Sequence, residues 1–366
     1  MRTPTPAPLG ALVSTVLLSL LAACASSRAA AVAPPPAAAV ETLRESYVSP
    51  PNPGEELDSL AAWHGAEGRP WVIATAKSMH RLVVFDADTG ERLREVGAKG
   101  AAPGQFKRPN GIAVAGDRVF VVERDNHRVQ VLSLPDFRPL GTFGEGELRS
   151  PYGLWLDPSA DGGVEVYVTD NYMLGARFDI VPPLDTLDHR VQRYRVRFDA
   201  DGRATATPGG HFGATTDDDA LRVVESIAGD AAHDRLLIAD ESMPHSTLRE
   251  YTLAGRATGR HIPGDTFAFE AEGVALWACG KARGYWVAVD QLSDHTVFHL
   301  FDRRSLALVA NFRGETTAAT DGIALRTTPS ERFPRGALFA MHADTSVAAF
   351  DLRDLVDALK LDAACR

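Results

Sequence analysis

The chain has 366 residues, 45% of them apolar and 23% charged, with 31 glycines and 23 prolines. These proportions describe a folded, turn-rich protein and exclude a disordered chain, a collagen and a multi-span membrane protein. A net charge of -10 repels a phosphate backbone and argues against nucleic acid as a partner. The three cysteines, Cys24, Cys279 and Cys365, contain no C-x-x-C pair, which excludes a disulfide scaffold and a cysteine-based zinc site.

Residues 1–23 read as a secretory signal, with Arg2 followed by an apolar run from Leu9 to Ala23. The run is too short and too early for a permanent membrane span. Its end, Leu21-Ala22-Ala23-Cys24, resembles a bacterial lipobox. That resemblance implies a lipidated Cys24 anchoring the mature protein in a bilayer, and Ala25 in place of aspartate implies the outer membrane. An ordinary signal peptide is the alternative. Residues 24–54 are rich in alanine and proline without an apolar period, and read as a tether. The globular part is expected over 55–366. Cys279 and Cys365 are available to each other, but their spacing does not place them together.

From residue 58 to 352, short runs of Val, Ile, Leu, Tyr and Phe alternate with Gly, Asp and Asn turns, which predicts an all-β domain. One hairpin type recurs, starting at Leu82, Val129, Val191, Leu248, Val297 and Val347, a spacing of roughly 50 residues that fits propeller blades. Two more strands precede each copy, so the pattern predicts a six-bladed β-propeller with four-stranded blades. The sixth copy stops after its third strand at Leu352, and Glu41 to Val48 is the expected donor of the missing outer strand. Arg353 to Lys360 reads as a short helix.

In a propeller, the entrance of each first strand and the exit of each second strand share one end of the central channel. The residues before the first strands are Asp58, Asn110, Tyr152, Glu225, Glu272 and Asp321. Those ending the second strands are Lys77, Arg124, Asn171, Glu241, Gln291 and His342, with Asp170, Asp240 and Asp290 one step earlier. So many acids in a narrow mouth call for a counter-ion, and hard oxygen ligands suit calcium. Lys77 and Arg124 facing such a cluster would make an anion pocket, most naturally for phosphate. Metal-bridged phosphate beside an activated water is the arrangement for hydrolysing a phosphate ester. The alternative is that these acids simply cap turns.

The stretch from Glu225 to Leu352 resembles a β-propeller phytase, through VVESIAG, FEAEGVALWACGKARGYWVAVDQLSD and ATDGIALRTTPSERFPRGALFAMHAD. LDSLAAW and PNGIAV extend the likeness more weakly into the N-terminal half. The resemblance implies Glu225, Glu270, Glu272, Gln291 and Asp321 as calcium ligands, with Asp58 holding metal or water. It also implies that Lys77, Arg124 and Tyr152 contact substrate phosphates, with Asp58, Lys77 and Arg124 as the catalytic set. Asn171 stands where a lysine is expected, Ser59 replaces an aspartate, and Gly229-Asp230-Ala231-Ala232 replaces an acidic turn, so the site carries less charge than the pattern. Gly104 to Leu132 resembles an NHL repeat, a motif of binding platforms and some lyases and hydrolases; Asn126-His127-Arg128 in it reads as architectural. His64, His80, His127 and His211 form no ligand motif, and Thr215 to Asp219 reads as a solvated turn rather than a calcium loop.

The leading expectation is therefore a monomeric, lipid-anchored, calcium-dependent phosphomonoesterase acting on phytate or another small phosphate ester. The alternatives are a non-catalytic propeller that binds a ligand or protein at the same mouth, and a metal-dependent lactonase using Glu272, Asn110 and Asp321.

Overall fold

The computed structural model describes residues 39–65, 68–244 and 246–365. The signal, Cys24 and the first part of the tether lie outside them. The chain forms six sheets. The first blade runs Leu57–Trp63, Trp71–Ala76, Arg81–Asp86 and Arg92–Val96. The second holds Pro109–Val114, Arg118–Glu123, Arg128–Ser133 and Pro139–Phe143. The third holds Pro151–Pro158, Val164–Asp170, Val191–Phe198 and Ala204–Phe212. The fourth holds Val224–Asp230, Arg235–Asp240, Thr247–Tyr251 and Ala257–His261. The fifth holds Glu270–Cys279, Arg283–Gln291, Thr296–Asp302 and Leu308–Gly314. The sixth supplies only Ile323–Arg326, Ala337–His342 and Ser346–Asp351 from its own stretch of chain. This is the six-bladed propeller expected.

The N-terminal segment closes the ring in two pieces. Tyr47–Val48 pairs antiparallel with Ser346–Asp351 as the sixth blade's outer strand. Val40–Leu43 instead lies parallel to Leu308–Gly314 and extends the fifth blade to five strands. The expected donor segment is thus divided between two blades, and the ordered domain begins inside the stretch read as tether. Glu45, between the two pieces, fixes the crossing: its carboxylate accepts hydrogen bonds from the amides of Glu315, Thr316 and Thr317 and from the Thr317 hydroxyl. Burial would raise its pKa, but these four donors outweigh burial and hold it below the usual carboxylate range.

Each blade is sandwiched between two others, so both faces of its middle strands need apolar residues. That is why runs such as Val119–Val122 and Leu236–Ala239 do not alternate. The buried side chains fall into six clusters, one per junction between neighbouring blades; Ile73, Val84, Val119 and Val121 belong to the junction of blades one and two. The tail forms the short helix expected, Leu352–Ala358, N-capped by Asp351. A disulfide joins Cys279 on the fifth blade to Cys365, with Cα atoms 4.9 Å apart. It closes a loop of 86 residues, for which chain entropy allows about 4–5 kcal/mol of stabilisation.

Candidate metal centre at the channel mouth

The mouth is built by one repeated irregularity. In five blades the pairing of first and second strands slips at the position expected to face the channel: between Leu57 and Leu60, Pro109 and Ile112, Pro151 and Leu154, Val224 and Ile227, and Ala271 and Val274. A bulge re-aims side chains at the end of a strand. The slipped pairs are Asp58-Ser59, Asn110-Gly111, Tyr152-Gly153, Glu225-Ser226 and Glu272-Gly273; in blade six, Asp321-Gly322 precedes the strand. The small second residue is a packing requirement where blades converge. A Cβ at Gly153 would stand 2.4 Å from the Glu225 carbonyl oxygen, and one at Gly322 would stand 2.7 Å from that of Asp58. Backbone bonds run between blades at the same level, from Gly273 N to Asp321 O at 2.9 Å and from Gly322 N to Asp58 O at 3.1 Å. Below this layer Leu60, Ile112, Leu154, Ile227, Val274 and Ile323 surround a space of about 90 Å³. Ser59, Ser226 and the glycines of the converging strands line the same space, so the mouth narrows inward to a small constriction that is not purely apolar.

Its acids fall into two groups. Carboxylate oxygens of Glu225, Glu241 and Glu272 lie within 4.8 Å of one another. Glu225 is held through its backbone, whose carbonyl accepts the Thr169 hydroxyl at 2.6 Å while Thr169 receives Gly153 N at 2.8 Å. Glu241 is set beside it by its own amide, which donates to Val223 O. The strand of Glu272 is tied to blade four through Ala271 N and the Ser246 hydroxyl. No salt bridge joins a basic side chain to these three glutamates among the described residues, although Lys77 is near enough to attract Glu225. Burial pushes all three well above the ordinary carboxylate range, with repulsion added by Asp58 and Asp321 at Glu225, by Glu225 and Glu272 at Glu241, and by Glu225 and Asp321 at Glu272. Glu270, nearby on the same strand, is raised by burial. Tyr152 is pushed up by burial and by Glu225.

On the opposite side the acids are matched. The Lys77 ammonium lies 3.1 Å from Asp58, itself only 2% exposed, and 3.8 Å from Glu56. Burial would lower the pKa of Lys77, but Asp58, Asp321 and Glu225 together outweigh it and hold the ammonium above its usual value. Arg108 pairs with Glu56 at 3.0 Å. Asp321 links the two groups: burial and Asp58 push it up to about 8, and the Gln291 amide donates to one of its oxygens at 3.1 Å.

The fit to a cation can be tested on atoms left without partners. Asn110 is fully buried, and neither its Oδ1 nor its Nδ2 has a hydrogen-bond partner; the same holds for Glu241 Oε1 and Asp321 Oδ2. Unmatched buried oxygens of this kind are expensive unless a ligand takes them. An all-oxygen donor set suits a hard divalent cation such as Ca²⁺.

The other expected positions sort plainly. Arg124 bonds its neighbour Asp125 at 2.9 Å, and no bond joins it to the mouth acids among the described residues. Asn171 uses its side-chain oxygen to accept Val224 N, bridging blades three and four. Asp170, Asp240 and Asp290 are braces, accepting backbone amides of the loops that enter their own blades: Arg149 and Ser150, Arg222 and Val223, and Ala268 and Phe269. His342 does the same for Ala318. Glu241 stood in the sequence at the correct end but outside the expected ligand set. Glu56 and Arg108 were not singled out; both precede first strands in left-handed conformations, φ 52° and 50°, which a sequence does not display. Asn126-His127-Arg128 is architectural as expected, with Arg128 bonding the fully buried Glu123 at 2.7 Å.

A family model for the NHL repeat matches residues 106–132. No curated protein matches the sequence. Among solved structures, a gluconolactonase from Xanthomonas campestris is similar with a TM-score of 0.50 and 13% identity, over 85% of this chain and 95% of that one. A nidogen/laminin complex matches with a TM-score of 0.48 and 18% identity, over 74% and 85%. A hydrazine synthase from Kuenenia stuttgartiensis matches with a TM-score of 0.47 and 13% identity, over 88% and 83%. The fold and the repeat define the class: a six-bladed propeller with one NHL repeat, over residues 106–132. Membership of the phytase family is not shown by these matches.

Proposed function

We infer that the protein is a divalent-cation-dependent hydrolase that opens an uncharged ester, with a lactone as the substrate class and Ca²⁺ as the metal. The observation that carries this reading is the three-glutamate group without a salt bridge to a basic side chain, together with the unmatched side chains of Asn110 and Asp321 at the entrances of other first strands. Glu225, Glu241, Glu272 and Asn110 would hold the ion. When bound, it supplies a Lewis acid that polarises a carbonyl oxygen. Asp321 is the candidate general base: its buried Oδ2 accepts no hydrogen bond and its other oxygen is held by Gln291. It takes a proton from a water as the water oxygen bonds to the ester carbon; the ring carbon–oxygen bond then breaks, and the proton on Asp321 passes to the leaving alkoxide oxygen. Lys77 offers the N–H groups not engaged by Asp58 to the oxygen that gains charge. The gluconolactonase with the similar fold is in keeping with this substrate class.

Phosphate-ester hydrolysis is the second reading, favoured by the position of Lys77 among the acids. Against it stand the charges: Lys77 is matched by Asp58 and Glu56, and Arg124 by Asp125. A mouth with this surplus of carboxylates repels a phosphate dianion. Parallel assays with aliphatic lactones and simple phosphomonoesters, with Ca²⁺ and after chelation, decide between them. Calcium-dependent lactone opening, lost at least about 100-fold in Glu272→Gln, is expected. Calcium-dependent phosphate release would establish the second reading, and neither activity from folded protein would leave a binding platform. We further infer export to an oxidising compartment and anchoring through Cys24; the Cys279–Cys365 disulfide supports this, since such bonds persist outside the reducing cytosol.

A further inference from the structure

A second cleft, richer in basic side chains than the mouth, lies on blade three. The cleft, of about 320 Å³, is bordered by Arg149, Arg193, His189, His211 and Gln192, and by one carboxylate, Glu147. The pairing of the two outer strands aligns Gln192 with His211 and Arg193 with Gly210, and puts Val191 and Phe212 opposite each other. Val191 also pairs with Thr169, at the exit of the second strand, so the cleft opens on the same face as the mouth but radially outside it.

Two features set this cleft apart in a chain of net charge -10. Neither arginine has a carboxylate partner among the described residues. The Arg149 guanidinium lies over the Tyr172 ring at 4.5 Å and that of Arg193 over Tyr167 at 5.3 Å, and Arg193 Nε is buried without an acceptor. Other arginines without a carboxylate partner among the described residues, such as Arg94 and Arg118, also stack on aromatic rings; Arg193 differs from those two in having a buried Nε without an acceptor. The second feature is Gln192, which is only 7% exposed, borders the cleft, and has no side-chain hydrogen bond among the described residues. A buried amide without partners is costly unless something else completes it.

The histidines complete the lining. Their rings stack with centroids 3.5 Å apart, and Asp188 takes His189 Nδ1 at 2.7 Å, which leaves Nε2 of His189 and the ring of His211 for another partner. This trio alone has the composition of a transition-metal site, but two unmatched guanidinium groups beside it repel a cation and attract an anion. Gly210, at φ +93° with nothing within 4 Å of where a Cβ would stand, keeps the rim clear of a side chain.

We propose that the blade-three cleft binds a phosphate-type oxyanion, held by Arg149, Arg193, Gln192 and the His189–His211 pair. Guanidinium forks match tetrahedral oxyanions, and Gln192 and the imidazoles supply further donors. The ligand is either a soluble phosphate compound or a lipid headgroup, and the site is independent of the metal centre.

The test uses the exported chain, freed of divalent ions by dialysis so that the mouth cannot hold phosphate through a metal. Pyrophosphate is titrated calorimetrically, and sedimentation with phosphatidylglycerol vesicles is compared with phosphatidylcholine vesicles. Saturable pyrophosphate binding, weakened about tenfold or more in Arg193→Gln and in Arg149→Ala, identifies a soluble ligand. Selective phosphatidylglycerol binding lost in the same variants, without pyrophosphate binding, identifies a headgroup. Arg149 is exposed, so its replacement leaves folding intact even if Arg193→Gln does not. Absence of both kinds of binding, binding unchanged in the variants, or stoichiometric Zn²⁺ capture by His189 and His211 overturns the proposal.

Discussion

In blades one and two the acids of the mouth are matched: Asp58 and Glu56 face Lys77, Glu56 also faces Arg108, and Asp125 takes Arg124. In blades four and five they are not, and Glu225, Glu241 and Glu272 face one another. Both groups sit at the entrances and exits of the inner strands, with Asp58 at 2% exposure as buried as Glu272 at 6%. The first is complete as protein, because each charge removed from water has its counter-charge. The second is incomplete, since buried like charges must either take up protons or take up a cation. Where counter-charges are missing, rather than where acids are numerous, is what marks the site.

The sharpest way to break this contrast is to exchange the roles of the two groups. Lys77→Met strands Asp58 at 2% exposure, so it should cost about 3–5 kcal/mol in denaturant unfolding, with or without calcium. Glu241→Gln should do the reverse in the chelated protein. It removes repulsion and should stabilise by on the order of 1–3 kcal/mol, while abolishing the extra stability gained from calcium. If Glu241→Gln destabilises the chelated protein, the glutamates are not an uncompensated group.

A pH series extends the same contrast. Glu225, Glu241, Glu272 and Asp321 all have raised pKa values in the folded chain, Asp321 to about 8. Folding therefore favours their protonated forms. Their contribution is fully present below the ordinary carboxylate range and is lost as pH rises, for Asp321 through about 8. Thermal unfolding of the chelated protein should show stability falling from about pH 4 to 8, a loss that saturating calcium reduces and Asp321→Asn makes smaller. Smaller still is the expected effect of Gly153→Ala. Its Cβ would press on the Glu225 carbonyl at 2.4 Å, costing about 1–3 kcal/mol and weakening calcium binding without touching a ligand side chain.

The repeat was legible because each blade needs the same inner strand, and the ring was legible because each bulge writes a polar residue followed by a small one: N-G, Y-G, E-G and D-G, or D-S and E-S. The split of Val40–Leu43 from Tyr47–Val48 was not, since a parallel four-residue edge strand leaves no alternation to read. In Ala239-Asp240-Glu241-Ser242 two adjacent acids look alike, yet the first braces a loop and the second joins the three-glutamate cluster. Arg124 looked free because pairing with the next residue in the chain does not distinguish it from a residue aimed at the mouth. The blade-three cleft was invisible because Arg149, His189, Arg193 and His211 come from separate loops and strands without a motif.

Calcium titration of the wild-type chain and of Glu241→Gln, followed by thermal unfolding, bears most directly on the uncompensated glutamates. A ligand that binds only the folded state raises the melting temperature with its concentration, by about 2.7 kcal/mol of stability at one hundred times its Kd. The wild type should show that rise and Glu241→Gln should not. A wild-type melting temperature indifferent to calcium at neutral pH, or an equal rise in both proteins, would contradict a metal centre at Glu225, Glu241 and Glu272.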